Sequence, residues 1–227
     1  MKEQNKLIAL FFATPIECEI IFDRLKNKSS FVLKKVSFIK GKIQKHEILL
    51  CISGIGKINA SIASILAFEN FPINKAIISG IAGAYPSSGL DIGDIAVAEK
   101  EIEADQGLLI NCETGENSFL FMDYQEFPLH IPTSLQNYKK GTFLTVSACT
   151  GNLKRANFLE KKFGAICENM EGAAIAKVGQ LYNIPVTEIR SISNIVTDRT
   201  ELLITKEVKN AAEIVQKFIL ENPLLFE

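Results

Sequence analysis

The sequence predicts an α/β protein with a central mixed sheet covered by helices on both faces. Three observations predict it. Strand-like and helix-like segments alternate from one end of the chain to the other. The strand-like segments, such as Leu7–Ala13 and Ala76–Gly80, are continuously apolar, as strands buried on both faces are. Two strand-like runs also follow one another before Ser53, which makes the sheet mixed rather than purely parallel.

Taken in order, Leu7–Ala13 reads as a buried strand. A helix is expected over about Ile16–Lys26, with Pro15 near its start, where a missing N–H costs nothing. Strands follow at Val32–Ile39 and Lys42–Ile52, the second ending in Ser53-Gly-Ile-Gly56. A helix over about Ile58–Glu69 cannot continue past Pro72. Ala76–Gly80 runs into the small-residue segment Ile81–Ala84, and Ile92–Glu101 is a further strand opened by Gly93-Asp94. Residues 105–140 read as an irregular stretch, a long functional loop or lid containing Pro128 and Pro132. Then come a strand at Thr142–Ser147, a helix at Leu153–Phe163 and a short strand at Ala165–Cys167. The helix Glu171–Tyr182 carries Ile175, Val178 and Leu181 on one face, with Asn169 as its N-cap and Pro185 beyond its end. Val186–Ser193 is a strand that ends on Asn194, and Glu201–Leu220 is mostly helix.

The chain has 227 residues, 47% of them hydrophobic, and a net charge of -1. That supplies a sizeable core but no basic field for nucleic acid. No apolar run reaches membrane-spanning length. Lys34, Lys35, Lys40, Lys42 and Lys45 alternate with Val36, Phe38 and Ile43 and read as the wet face of two strands. The five cysteines, Cys18, Cys51, Cys112, Cys149 and Cys167, form no CxxC, so buried thiols in a reducing cytoplasm are expected. With His46 and His130 the only histidines and no metal-ligand spacing, neither a metal nor a cofactor is expected. No internal repeat or linker divides the chain, so residues 1–227 are expected to form one domain.

Several positions combine a chemically capable side chain with a strand end. Glu17 follows the first strand within the first turn of the next helix; it is either a dipole-favoured acid or a general base that deprotonates water. Ser53-Gly-Ile-Gly-Lys57 and Ser79-Gly-Ile-Ala-Gly83 are either tight turns or places where a ligand lies close to backbone. Glu171 has the same two readings as Glu17; as a ligand group, an ionised carboxylate at a helix N-terminus accepts two ribose hydroxyls. Met170 packs either into the core or on a sugar face. Asn194 is a turn residue or an amide that reads the edge of a purine. Glu171 and Asn194 together point to a nucleoside site.

The order of these segments carries a resemblance. Ala13–Glu17, Ser53–Lys57, Ser79–Gly83, Gly93-Asp94, Asn169–Glu171 and Ile192–Asn194 fall in sequence over nearly the whole chain. They resemble the nucleoside phosphorylase/nucleosidase superfamily, in particular its methylthioadenosine/S-adenosylhomocysteine nucleosidase branch. Gly83–Pro86, Ala104–Gly107, Glu168–Ala174 and Ile192–Val196 look most like the futalosine hydrolases. The resemblance implies a three-layer α/β/α fold whose central mixed sheet is partly barrel-like. It implies catalytic roles for Glu17, which activates water, and for Asn194, which holds the base. It implies a substrate-binding set of Ile81, Gly83, Cys149, Gly151, Asn152, Asn169, Met170 and Glu171, and a homodimer or larger homo-oligomer acting on a small nucleoside.

Two departures from the family pattern sharpen that expectation. Asn194 stands where the adenine-specific nucleosidases carry an aspartate, and an amide suits a 6-oxopurine such as hypoxanthine. Ile78 and Ile81 stand where the hexameric phosphorylases carry a phosphate-binding arginine and serine, so water is the expected nucleophile. Gly151-Asn152 replaces a Phe-Ile pair, so the base pocket must be rebuilt, with the 105–140 segment as one source. The competing readings are a methylthioadenosine/S-adenosylhomocysteine nucleosidase, a phosphorylase for 6-oxopurine nucleosides, and a non-catalytic nucleoside-binding protein.

Overall fold

The computed structural model describes residues 7–110, 118–121, 125–199 and 206–227. The strands are β1 (Leu7–Phe12), β2 (Lys26–Leu33), β3 (Val36–Ile43), β4 (His46–Ile52), β5 (Ile73–Ala84) and β6 (Ile95–Glu103). They continue with β7 (Gly107–Ile110), β8 (Ser118–Phe121), β9 (Glu126–Pro128), β10 (Lys139–Thr145), β11 (Ala165–Asn169) and β12 (Val186–Ile195). The helices are α1 (Glu19–Arg24), α2 (Lys57–Asn70), α3 (Leu153–Phe163), α4 (Gly172–Tyr182) and α5 (Lys206–Glu221).

The residues of β1 explain the layers. Ile8, Leu10 and Phe12 enter one core with Ile21 of α1 and Val215 and Ile219 of α5. Ala9 and Phe11 enter a second core with Ala60, Ala63 and Phe68 of α2 and Ile175 and Val178 of α4. Successive strand side chains point to opposite faces, so a strand that is apolar at every position is covered on both.

The main sheet runs β2-β3-β4-β1-β5-β12-β6-β10-β11 and then closes, because β11 also pairs antiparallel with β5 through Cys167–Ala84 and Glu168–Gly83. The strands β5, β12, β6, β10 and β11 therefore form a barrel, while β1 to β4 extend as an open wing. The order is mixed: β1–β4, β1–β5, β5–β12, β6–β10 and β10–β11 are parallel, and β12–β6 is antiparallel. β5 belongs to both parts. Its first half pairs with β1 as far as Ile78, and its second half meets β11 from Gly83. Gly80 lies between, at φ 143°.

The structure corrects several boundaries. The segment after β1 is a one-turn 3-10 helix, Pro15–Glu17, and then the short α1, because the chain already enters β2 at Lys26. The two strands expected between 32 and 52 are three. Lys34 and Lys35 form the β2–β3 turn with φ values of 49° and 72°, and β2 is exposed along most of its length, so no burial pattern marked it. Lys40 and Lys42 instead meet Glu47, at 3.7 and 2.7 Å.

Residues 105–140 are not wholly irregular. They include the β7–β8 hairpin, β9 on the edge of β6, and the start of β10. Within that stretch residues 111–117, Cys112 among them, and 122–124 lie outside the described residues, as do residues 201–205 at the start of the last expected helix. Cys18, Cys51 and Cys167 are buried thiols, but Cys149 is exposed because it sits in the loop after β10.

Candidate active site

Glu17 is buried at the C-terminal end of β1. Three donors fix its carboxylate. Ile81 N–H donates to Oε1 at 3.0 Å, and Thr14 donates to Oε2 from both its backbone N–H (2.9 Å) and its hydroxyl (2.8 Å). Pro15, within the same turn, suits the first position of a helix. Gly80 has no side chain where one would run into Glu17 Oε1 and Arg190 Nη1, so its missing Cβ lets the acid and the guanidinium approach β5. Burial raises the Glu17 pKa, while Arg190 and the backbone donor at Ile81 pull it back.

Glu171 is also buried, at the N-cap position of α4 rather than inside its first turn. Its Oε1 accepts from Gly56 N–H at 2.9 Å, and its Oε2 lies 3.6 Å from Arg190 Nη1. The Ser53–Lys57 turn is therefore part of the site and not only a connection. Asn169 is the last residue of β11 rather than the N-cap. Its side chain still does a capping job, because Oδ1 accepts from the N–H groups of Glu171 (2.9 Å) and Gly172 (2.7 Å). Met170 lies between them, half-buried.

Arg190 is the centre that brings the two acids together. It is 1% exposed. Its Nε donates to Glu188 Oε1 at 2.9 Å, Nη1 faces Glu171 and the carbonyl of Ile81, and Nη2 reaches Asn169 Oδ1 at 3.3 Å. Burial works against its charge, but Glu188, Glu171 and Glu17 outweigh that and hold it protonated above the ordinary arginine range. Ser79, buried and without a hydrogen-bond partner for its hydroxyl, lines the same small void as Glu171 and Arg190.

Asn194 lies inside β12, opposite Gly83 of β5, rather than at the strand's end. Its Nδ2 packs over Gly83, where a Cβ would clash. Ser193 Oγ has one proton and two acceptors in reach; Asn194 Oδ1 at 2.9 Å is closer than Ala82 O at 3.2 Å.

Cys149, Gly151 and Asn152 are exposed on the loop between β10 and α3. Two tethers bring that loop to the segment just past Asn194: Arg199 N–H donates to Gly151 O (3.1 Å) and Leu153 N–H to Asp198 Oδ1 (2.8 Å). Asn152 caps α3, its Oδ1 accepting from Arg155 N–H at 3.2 Å.

The pattern of the phosphorylase superfamily matches residues 7–221. The chain belongs to that superfamily. It is 25% identical to a 5'-methylthioadenosine/S-adenosylhomocysteine nucleosidase of Geobacillus sp. (strain WCH70), covering 93% of this chain and 97% of the relative. It is 29% identical to the enzyme of the same name from Halalkalibacterium halodurans, covering 83% and 85%. Among solved structures, a nucleosidase of that name from S. pneumoniae, bound to a transition-state inhibitor, superposes with a TM-score of 0.79 at 23% identity over 94% and 96% of the two chains. A futalosine hydrolase mutant from Helicobacter pylori superposes with a TM-score of 0.77 at 22% identity over 95% and 99%. This superfamily member shares the mixed, partly closed sheet of those neighbours.

Sequence reasoning passed over Arg190 and Glu188. The signal was present: two opposite charges at i and i+2 point to the same face of Val186–Ile195, a strand expected to be covered on both faces. Charges in a doubly covered strand are rarely buried unless paired. It also passed over Glu168, whose buried carboxylate accepts from Tyr85 OH (2.9 Å) and Thr150 N–H (2.6 Å) and so holds the loop after β10.

Proposed function

We propose that the protein hydrolyses the N-glycosidic bond of a 6-oxopurine nucleoside, with futalosine as substrate and hypoxanthine and dehypoxanthine futalosine as products. This places it in the futalosine route to menaquinone, as a cytoplasmic enzyme whose whole chain acts as one domain. The observation that carries the hydrolase reading is the convergence of Glu17 and Glu171 on Arg190 at the C-terminal end of the sheet. In this reading Glu171 accepts the ribose hydroxyls and sets negative charge beside the developing oxocarbenium ion. Met170 packs on the sugar. Glu17, its pKa raised by burial, takes the proton from water as it attacks C1′.

Water rather than phosphate is supported by the walls of the site. Ile78 is buried in the apolar core, and Arg190 is already engaged by Glu188 and Glu171. Two acids beside the sugar would also repel a dianion.

Asn194 supports the choice of base. The Ser193 hydroxyl takes one lone pair of Oδ1 and so orients the amide, with Nδ2 as its donor. Hypoxanthine presents acceptors at N7 and O6; adenine presents a donor at its 6-amino group, which would be left unmet at a cost of about 1–3 kcal/mol. The second reading, a methylthioadenosine/S-adenosylhomocysteine nucleosidase, rests on the names of the curated relatives. Fold likeness does not separate the two readings, because structures of both names superpose equally well.

Base release from futalosine, inosine, methylthioadenosine and S-adenosylhomocysteine, with and without phosphate, tests the assignment. Hypoxanthine from futalosine without phosphate is expected. Adenine release as the preferred reaction overturns the base assignment, and a requirement for phosphate overturns hydrolysis. Asn194→Asp is expected to move kcat/KM toward adenine nucleosides by about tenfold or more; an unchanged ratio removes Asn194 from base recognition.

We also infer self-association through the outer face of α2. Ile58, Ile62 and Ile65 are exposed there, with Ile55 exposed in the turn just before the helix, beside the Gly56 N–H that binds Glu171. Sedimentation velocity is expected to find at least a dimer, and Ile58→Asp is expected to dissociate it. A monomeric wild-type protein contradicts the inference.

A further inference from the structure

Four buried carboxyls, Glu17, Glu101, Glu171 and Glu188, stand around the one guanidinium of Arg190. None of their hydrogen bonds or ion pairs among the described residues involves a second cation. All four cannot be ionised in so little dielectric. The hydrogen-bond pattern locates the missing proton.

Glu188 Oε1 accepts from Arg190 Nε at 2.9 Å, but Glu188 Oε2 has no donor. Glu101 Oε1 accepts from Asn169 Nδ2 at 2.5 Å, and Glu101 Oε2 accepts from the Thr145 hydroxyl at 2.8 Å. The Asn169 amide cannot turn over, because its Oδ1 serves two backbone N–H groups. Glu101 Oε1 and Glu188 Oε2 both crowd the Cα of Gly172, so closely that a side-chain carbon at that position would collide with each. The two carboxyls therefore meet across a glycine, and the oxygen that lacks a donor faces the neighbouring acid.

We propose that Glu101 and Glu188 form a carboxylic acid–carboxylate pair, in which a proton carried by Glu101 is donated to Glu188 Oε2, and that this pair positions Arg190 for the reaction at Glu17 and Glu171. The proton gives Glu188 Oε2 a donor, which it lacks among the described residues, and removes one of two like charges. Glu188 then stays ionised against Arg190 Nε. Through Asn169, Glu101 also supports the backbone of Glu171, so one proton braces both sides of the site. Burial and the neighbouring Glu188 push Glu101 well above the usual carboxylate range, which agrees. The groups facing Glu101 are Glu188 and Arg190 from β12, Thr145 from β10, and Asn169 and the buried Cys167 thiol from β11, with Gly172 of α4 against it. Glu126 of β9 is turned to Lys100 at 2.8 Å.

The effect on turnover rests on the nucleosidase reading; the proton itself does not. Infrared spectroscopy in D2O at about pH 8 is expected to show a protonated carboxyl band in the wild type. That band should persist in Glu17→Gln and vanish in Glu101→Gln. No band, or a band unchanged in Glu101→Gln, overturns the pair. In turnover, Glu101→Gln should lower kcat, because its amide nitrogen cannot face Glu188 without also meeting the fixed Asn169 donor, and should lose the alkaline limb of the pH profile. Glu188→Gln should lower kcat about 10–100-fold. Wild-type pH profiles in both variants overturn the positioning role. A wild-type enzyme that cleaves no nucleoside sinks the hydrolase reading and leaves the infrared result to decide the pair.

Discussion

Glu17→Gln is expected to lower kcat by about 10²–10⁴-fold, the usual contribution of a general base, with little change in KM. The amide occupies the same volume and its oxygen can still accept from Ile81 N–H, but its nitrogen then faces the Thr14 N–H, so a loss of thermal stability should accompany the loss of activity. The amide cannot take a proton from water. The sign of the pH dependence follows from the same environment. A base works ionised, and burial raises the Glu17 pKa. Activity should therefore fall, on acidification, at a pH above the ordinary carboxylate value of about 4.3. Arg190 and three hydrogen-bond donors oppose that rise and limit how far the limb moves. Initial rates of base release across pH check both statements. Wild-type kcat in Glu17→Gln would remove Glu17 as the base that activates water.

Arg190→Met should have the largest effect on stability. Methionine has a suitable shape but leaves Glu188 and Glu171 without their cation. Breaking a buried ion pair in this way costs about 3–5 kcal/mol, a fall in Tm of roughly 10 °C for a chain of this size. The defect should depend on pH in a defined direction. Without Arg190 the folded-state pKa values of its acids rise, so the native protein binds more protons than the unfolded one. Stability is then lost as pH rises through those values. Thermal melts should show a larger deficit at about pH 8 than at about pH 5. Adding Glu188→Gln removes one stranded charge and should recover part of the loss, a coupling that a double-mutant cycle measures. A deficit independent of pH would mean that Arg190 acts mainly through packing. Activity should fall as well, because Arg190 holds Glu171 and the Ile81 carbonyl beside Glu17.

Much of the fold was legible because its causes are local. Leu7–Phe12 is an apolar run of strand length, and Val186–Ile195 is rich in β-branched residues and follows Pro185. The bounds of α3 follow from Asn152, whose side chain caps its start, and Gly164, which ends it at φ 59°. β2 was misread because its residues face water on nearly every position and leave no period in the sequence. Glu17 and Glu171 were legible as acids at strand and helix ends, where charge is tolerated and ligands gather. Glu101 was not, since an acid in Ile95–Glu103 reads like any half-exposed strand residue until Asn169, Thr145 and Glu188 are seen around it.

By itself, then, the sequence determined the alternating layers, the mixed sheet and the chemical types of the side chains at its strand ends. Those follow from side-chain period, caps and turns, which act within a few neighbouring residues. Only the tertiary structure decided that β11 returns to β5 to close a barrel, and that Arg190 stands between Glu171, Glu188 and Glu17. The groups involved come from separate strands and turns, and the charge each keeps depends on burial and on neighbours that no short stretch of chain contains.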